Sequence, residues 1–297
     1  MAVLATFGLV LAGGLVTSRD AGLAVPDWPL SFGTLNPPRW LQIVNVRTEH
    51  GHRLIAGLVA ILTIALAVTA KVRRERKAIR RVANAAAALV LFQALLGGLR
   101  VLRLSLDLAM VHALTGQLFL CVIVAIATLT SPQWHDTLQE RPRRGERADV
   151  TVLFSLLVVQ LVFGIVIRHL GVDARPLLGH SVFQAHALLA FAIVGLSIRW
   201  RVVEVTSLRQ AATDRATQLL GLVLLQIGLG IATYFVIESM AHDRQASGLE
   251  SWLPTLHVIV GAGILASAAR SMLHAFALPS LAISPDLSLA PVQEHHR

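Results

Sequence analysis

Apolar residues in this chain fall into eight long runs, separated by polar or charged segments. The runs cover residues 2–17, 54–70, 82–102, 109–131, 150–167, 182–198, 216–237 and 254–278. A helix that crosses the hydrocarbon core of a bilayer needs roughly 20 predominantly apolar residues. The runs lack the alternation of barrel strands, so the pattern predicts an all-α membrane protein with eight transmembrane helices.

The overall composition agrees with a chain that lies in a lipid bilayer. Hydrophobic residues make up 55% of the 297 residues and charged residues only 14%, and the mean hydropathy is +0.67. So few charged side chains cannot cover the surface of a soluble domain of this length, which excludes that class.

The net charge of +9 is distributed unevenly among the connecting segments. The connections 71–81, 132–149 and 199–215 hold 15 Lys and Arg against 7 Asp and Glu, whereas the connections on the opposite side hold 8 against 8. Positive charge concentrates on the cytoplasmic side of membrane proteins, so we expect both termini in the cytoplasm. The same rule explains the basic segment KVRRERKAIRR (71–81), and we expect no nucleic-acid partner.

The runs repeat one another. Three odd-numbered runs carry Gln, three residues, then Gly, whereas the first run keeps its glycines but has Leu9 in place of the Gln. Each even-numbered run has a histidine near its start. The pattern predicts two parallel four-helix repeats, 1–131 and 150–278, related by a pseudo-two-fold axis along the membrane normal. A cytoplasmic linker, 132–149, joins them, and a cytoplasmic tail, 279–297, follows.

Four histidines share one depth near the outer ends of the even-numbered runs: His52, His112, His186 and His257. Ionisable side chains within membrane spans are costly and mark functional sites. Neutral imidazole suits iron, zinc or copper. A zinc site needs four ligands, however, and carboxylates are scarce here and Cys121 is the single cysteine. Facing imidazoles in a helical bundle are a standard axial ligation of heme iron, so the pattern favours two heme sites.

Glu49 is the only acidic residue that adjoins one of these histidines. In the segment TEHGHR it shares a helix face with His52 and Arg53. Two interpretations stay open: a helix start capped by Thr48, or a carboxylate that moves protons at a heme. The corresponding residue of the second repeat is Phe183, so we expect chemistry in one half and electron carriage in the other.

The connection 18–48 contains GLAVPDWPLSFG, whose prolines predict a stiff turn. Its Trp28 either anchors the chain at the membrane interface or covers a heme pocket. Four arginines lie at the outer ends of odd-numbered runs, where they pair with heme propionates or extend toward water: Arg19, Arg100, Arg103 and Arg168.

Together, GGLVTSRDAGLAVPDWP, EHGHR, VHALTGQ and the later QAH and LHVIVG segments resemble heme A synthase, over about residues 2–275. The resemblance implies oxidation of the C8 methyl of heme O to a formyl group, which produces heme A for terminal oxidases. It also implies that His52 and His112 flank the substrate heme O, with Glu49 as the catalytic carboxylate. His186 and His257 would then ligate a heme b cofactor.

The resemblance further implies a multi-pass protein of the bacterial inner membrane. Its partners would be heme O, an upstream enzyme that produces heme O, and an electron acceptor that the sequence does not identify. The glycine-rich helix faces are also compatible with a homo-oligomer. Many bacterial members carry a cysteine pair near the Pro-Asp-Trp-Pro segment, where this chain has Val25 and Ser31, and this excludes a thiol-based step.

Two other functions use the same pattern. A diheme b-type membrane electron carrier would need the four histidines but not Glu49. A transporter built from parallel repeats would bind its substrate at midplane helix breaks. The polar residues of this chain concentrate at the outer ends of the runs instead, which disfavours a transporter.

Overall fold

The computed structural model describes residues 1–132, 134, 142–169, 176–239 and 248–276, which form eight α-helices and a 3₁₀ turn at Leu177–Gly179. In chain order the helices are α1 (Ala2–Ser18), α2 (Val44–Val72), α3 (Lys77–Leu102), α4 (Leu106–Leu129), α5 (Glu146–His169), α6 (Ser181–Thr206), α7 (Gln210–Ser239) and α8 (Leu249–Phe276). These ranges contain no β-strand.

Seven of the described helices, α2 to α8, are long and apolar enough to cross a membrane, and α1 is a shorter apolar helix of 17 residues. Large apolar side chains point outward along them; Ile61, Leu188 and Phe191 are each about two-thirds exposed. Surfaces of this kind are covered by lipid rather than water. The structure therefore fits a helical membrane protein.

Several helices begin before the apolar runs that predict them. Helix α2 begins at Val44 after the N-cap Ile43, whereas its apolar run begins at residue 54. The interpretation of Thr48 as an N-cap is wrong, because its hydroxyl lies inside the helix and donates to the carbonyl of Val44 at 2.8 Å. Backbone hydrogen bonds extend the helix through polar turns that hydropathy does not detect.

Helices that follow one another along the chain pack side by side within two groups of four. In the first group α1 also packs against α4, and in the second α5 packs against α8. The groups meet through the pairs α4–α8, α1–α8 and α4–α5. Odd-numbered helices end, and even-numbered helices begin, at one end of the bundle, which we call the histidine end because it contains His52, His112, His186 and His257.

Each group has its own apolar core. Val90, Phe119 and Ile123 are buried in the first group, and a larger cluster that includes Trp200 and Leu219 is buried in the second. A third cluster joins the two groups where Leu120 of α4 meets Ala262 and Ala266 of α8. The single cysteine, Cys121, is buried and free, as expected for a small apolar filler.

Candidate functional site

All four predicted histidines make the same contact with the preceding helix. A Cβ atom placed on the facing glycine would lie within 3.1–3.3 Å of the imidazole Cε1 atom. The contacting pairs are Gly13–His52, Gly97–His112, Gly164–His186 and Gly230–His257. Ordinary carbon contacts are longer, so a side chain at any of these positions would push the ring away. Glycine on the odd-numbered helix therefore sets where each imidazole lies.

Glutamines make a second contact with the histidines. The residue four positions before the facing glycine is Gln93, Gln160 or Gln226 in three of the four pairs and Leu9 in the fourth. Gln160 donates from Nε2 to the backbone carbonyl of His186 at 3.0 Å, and Gln226 Nε2 lies 3.2 Å from Nε2 of His257. Residues four apart share a helix face, so Gln and Gly meet the same ring. His52 has Leu9, which carries no amide, at this place.

The four rings form two pairs. The ring centres of His186 and His257 are 6.4 Å apart with planes inclined by 60°. An iron atom roughly 2 Å from one nitrogen of each ring would leave the ring centres roughly 6 Å apart. The second pair thus has the spacing of two axial heme ligands. His52 and His112 are close enough to interact electrostatically.

The donor set also suits a heme better than a lone metal ion. Among the described residues no three His, Cys, Asp or Glu side chains group together as metal ligands. The Nδ1 atoms of His52, His186 and His257 are buried and make no hydrogen bond of normal geometry within that part of the chain. Buried imidazoles that occur in pairs fit a group whose iron takes two axial ligands and whose remaining ligands come with it.

Glu49 lies beside the first pair and is almost fully buried, with 3% of its surface exposed. Its Oε1 atom accepts from Nη2 of Arg53 at 2.6 Å, and its Oε2 atom accepts from the backbone N–H of Val25 at 2.9 Å. Glu49 and Arg53, which were expected to share a helix face, form an ion pair there. Because both oxygens have a fixed donor, the carboxylate is held in one orientation.

Arg53 fastens the connection between α1 and α2 onto the bundle. Its guanidinium donates to the backbone carbonyls of Val25, Asp27 and Leu30 at 2.6 to 3.0 Å. The segment EHGHR therefore holds the Pro-Asp-Trp-Pro segment in place. This contact joins residues far apart in the chain. It could not be predicted from the sequence, because spacing predicts only pairs within about one helix turn.

Val25 and Ser31 are buried parts of the same contact. Val25 meets Glu49 through its backbone, and the Ser31 hydroxyl lies 2.9 Å from Nδ1 of His50. The ring of Trp40 covers His50 with ring centres 4.8 Å apart. Non-covalent bonds to α2 thus hold this connection at the two positions where the family resemblance leads to cysteines.

Trp28 packs against α3. Its indole ring occupies the space where a side chain at Gly98 would lie. The neighbouring Gly97 is the glycine beneath His112. The turn is braced by Asp27, which accepts from the backbone N–H groups of Gly33 and Phe32 at 2.7 Å, and the bond from Gly33 lowers the pKa of this carboxyl. The contact agrees with a segment that covers the first histidine pair.

Curated relatives of the chain share one name. The heme A synthase of Symbiobacterium thermophilum is 32% identical over 173 residues, which cover 54% of this chain and 55% of that protein. The heme A synthase of Alkalihalophilus pseudofirmus is 28% identical over 186 residues, or 59% and 61%. That of Staphylococcus saprophyticus is 36% identical over 106 residues, or 35% and 34%.

The match to the first of these relatives spans little more than half of that protein's length. No protein-family model matches the chain. Seven curated relatives carry the same name. They support the heme A synthase family for this chain. The motifs EHGHR and PDWP, from which the same family was expected, are the segments that meet at Glu49 and Arg53.

The arginines at the histidine end donate hydrogen bonds to backbone carbonyl and hydroxyl groups of the protein. Arg100 donates to the carbonyl of Gly22 at 2.6 Å, and Arg19 donates to the hydroxyl of Thr48 at 3.1 Å. Arg168 donates to the carbonyl of Gly14 at 2.9 Å. Arg103, directly after α3, is exposed. Arg100 also interacts electrostatically with both histidines of the first pair.

The second pair has aromatic surroundings instead. Phe183, the counterpart of Glu49, lies against Tyr234 of α7 with ring centres 5.4 Å apart. Glu238 is the carboxylate nearby in sequence, and it accepts from the backbone N–H of Leu177 at 2.7 Å. The two histidine pairs were expected to differ because Glu49 in the first corresponds to Phe183 in the second. The structure shows that they also differ in the contacts that these two residues make.

Proposed function

We propose that this chain is a heme A synthase that oxidises the C8 methyl group of heme O to a formyl group. One observation carries the proposal: of two equivalent histidine pairs, only the first has a buried, oriented carboxylate beside it among the described residues. The shared name of the curated relatives supports the same activity. Heme A would then be passed on for terminal oxidases.

The two pairs would hold different hemes. His52 and His112 would bind heme O as substrate, beneath the segment fastened by Arg53. His186 and His257 would ligate heme b, and their 6.4 Å ring spacing supports this assignment. The iron of a bound heme supplies the redox chemistry. The protein's part is to fix both imidazoles through the glycine contacts and to exclude water with Trp28 and its neighbours.

Glu49 would act as the catalytic carboxylate. A carboxylate held by Arg53 and the backbone of Val25 is placed to take up or release a proton at the substrate, and to stabilise positive charge that develops there. Fixed orientation favours this role, because a group that needs no rearrangement acts without a reorganisation cost.

The wider architecture belongs to the same proposal. The helix contacts keep their pattern when α1 to α4 are exchanged with α5 to α8, which supports two parallel repeats about a pseudo-two-fold axis. The repeats would be 1–131 and 150–278, in a bacterial inner membrane with both termini in the cytoplasm. About half of the linker 132–149, and all of the tail 279–297, lie outside the described residues.

A diheme electron carrier is less well supported, because it has no use for Glu49. Burying a carboxylate and a guanidinium is costly, and Phe183 replaces the carboxylate at the second pair. The partners of the proposed enzyme would be heme O, the enzyme that produces it, and an electron acceptor. A homo-oligomer would place glycine-rich helix faces between copies.

Heme analysis of the purified protein tests the proposal. The protein is extracted from membranes in detergent, its bound hemes are identified, and heme O is then supplied with a reductant and oxygen. We expect bound heme b and formation of a heme that carries a formyl group. Heme b with no conversion of heme O would favour the electron carrier, and a protein without heme would contradict both.

A further inference from the structure

Adjacent glycines of α1 face different histidine pairs. Gly13 contacts the ring of His52 in the first group. Gly14 contacts Thr255 of α8, two residues before His257, so closely that a Cβ atom there would lie 2.9 Å from the Thr255 methyl carbon. Real Cβ atoms are not found at such distances, so glycine at this position allows α1 and α8 to approach.

A chain of hydrogen bonds crosses the same contact. Arg168 donates to the Ser18 hydroxyl at 2.5 Å and to the carbonyl of Gly14 at 2.9 Å. The Thr255 hydroxyl donates to the carbonyl of Ser251 at 2.7 Å, and the Ser18 and Thr255 oxygens are 2.9 Å apart. Because Thr255 uses its only hydrogen on Ser251, Ser18 is the donor to Thr255. The bonds therefore run in one direction from α5 through α1 to α8.

The surroundings make these bonds strong and specific. Thr255 and Ser251 are both completely buried, so losing a partner there would leave a polar group without water. The guanidinium of Arg168 also lies at the C-terminal end of α1, where the helix dipole favours a positive charge. A chain of polarised bonds in a buried site resists displacement of any one member.

The equivalent contact between α4 and α5 lacks these groups. Aligning the histidines and their glycines pairs Gly14 with Ile165, Ser18 with His169, and Thr255 with Met110. Met110 has no hydroxyl that could take the place of Thr255, and Nδ1 of His169 lies 2.7 Å from the carbonyl of Ile165 in its own helix. The polar contact is thus a property of α1 and α8, and it joins the first helix of the chain to the helix that carries His257.

We propose that Gly14 and Ser18 of α1, together with Arg168 of α5, are positioning residues for His257. They would fix the depth and rotation of α8, and thereby the direction from which this imidazole reaches the heme. The first helix would serve both sites: Gly13 sets His52, and Gly14 sets His257. This inference rests on the proposed function, since it takes His257 as a heme ligand.

Three alanine substitutions on one helix test the proposal with the full-length protein. Gly14→Ala should weaken heme b retention about fivefold or more, because overpacking displaces α8, and should shift the heme b absorption band and midpoint potential. Gly13→Ala should leave heme b unchanged and alter the first site. Gly8→Ala is the matched control, since nothing lies within 4 Å of its Cβ position, and it should behave as the unchanged protein.

A second substitution separates the contact from general misfolding. Thr255→Ser removes the methyl group that an alanine at position 14 would strike and keeps the hydroxyl for Ser18. Combined with Gly14→Ala, it should restore heme b content and the absorption band. The inference is overturned if Gly14→Ala matches Gly8→Ala while heme b is bound, or if the double substitution restores nothing. Absence of heme b from the unchanged protein would instead defeat the proposed function as well.

Discussion

The two histidine pairs make the same contacts with glycines of the preceding helices but have different surroundings. In both, each imidazole lies on a glycine of the preceding helix. Beside the first pair, Glu49 and Arg53 hold a long connection that carries Trp28. At the equivalent place of the second pair, Phe183 packs on Tyr234. The shared contacts explain how each site can position a ring, and the differences are the basis of the proposal that only the first pair performs chemistry.

The largest expected effect comes from removing the charge that distinguishes the first pair. Glu49→Gln keeps a side-chain oxygen for the backbone N–H of Val25 but cannot take up a proton. Conversion of heme O should fall by roughly 10²- to 10⁴-fold, the usual contribution of a general acid or base, while heme b content stays the same. Product analysis by chromatography of extracted hemes measures both.

Glu238→Gln is the matched control for that variant, because Glu238 also accepts a backbone N–H at the histidine end. It should retain conversion. If Glu49→Gln converted heme O at the original rate, the carboxylate would be only a fastening for the connection, and the difference between the pairs would not be catalytic.

A smaller effect is expected from displacing the connection that carries Trp28, which we propose covers the first histidine pair. An alanine at Gly98 would overlap the Trp28 ring, so Gly98→Ala should push the connection away from α3. Misplacement of this kind should lower conversion roughly tenfold and make the connection more sensitive to protease, with heme b retained. Gly57→Ala, which has open space at its Cβ position, provides the comparison. Equal behaviour of the two variants would show that the cover does not matter.

The smallest effect should come from disturbing the glycine contact that positions an imidazole of the second pair. A Cβ atom at Gly230 would lie 3.1 Å from Cε1 of His257, so the ring must move by a few tenths of an ångström. Gly230→Ala should shift the heme b absorption band and reduce conversion by about fivefold or less. Gly228→Ala on the same helix meets nothing within 4 Å and should leave both unchanged. An unshifted band in Gly230→Ala, or an equal shift in Gly228→Ala, would contradict the proposal that this glycine sets the position of the His257 ring.

Hydropathy predicted the helices better than their ends. Each apolar run corresponds to a helix, and seven of the eight described helices are long and apolar enough to cross a membrane, whereas α1 is shorter. Hydropathy missed the first turns of α2 and the start of α5 at Glu146, since polar residues continue a helix without any apolar signal. The described part of the chain thus confirms the class and corrects the boundaries.

The sequence supplied the candidate residues of the site but not the contacts between them. Equal depth singled out the four histidines, and spacing along one helix placed Glu49 and Arg53 on the same face, where they form an ion pair. The Gln-x-x-x-Gly motif was visible too, but which ring it meets depends on packing between two helices. The bond from Val25 to Glu49 and the approach of Gly14 to Thr255 join residues far apart in the chain, and no local pattern encodes such contacts.

Heme b content of the four histidine variants tests the central claim most directly. Each of His52, His112, His186 and His257 is replaced by Ala, and heme b per polypeptide is measured from the reduced-minus-oxidised spectrum. His274→Ala, at the other end of α8, serves as the control. The two unequal pairs predict that heme b is retained without His52 or His112 and lost without His186 or His257. Equal losses in all four variants, or retention in all four, would contradict that division.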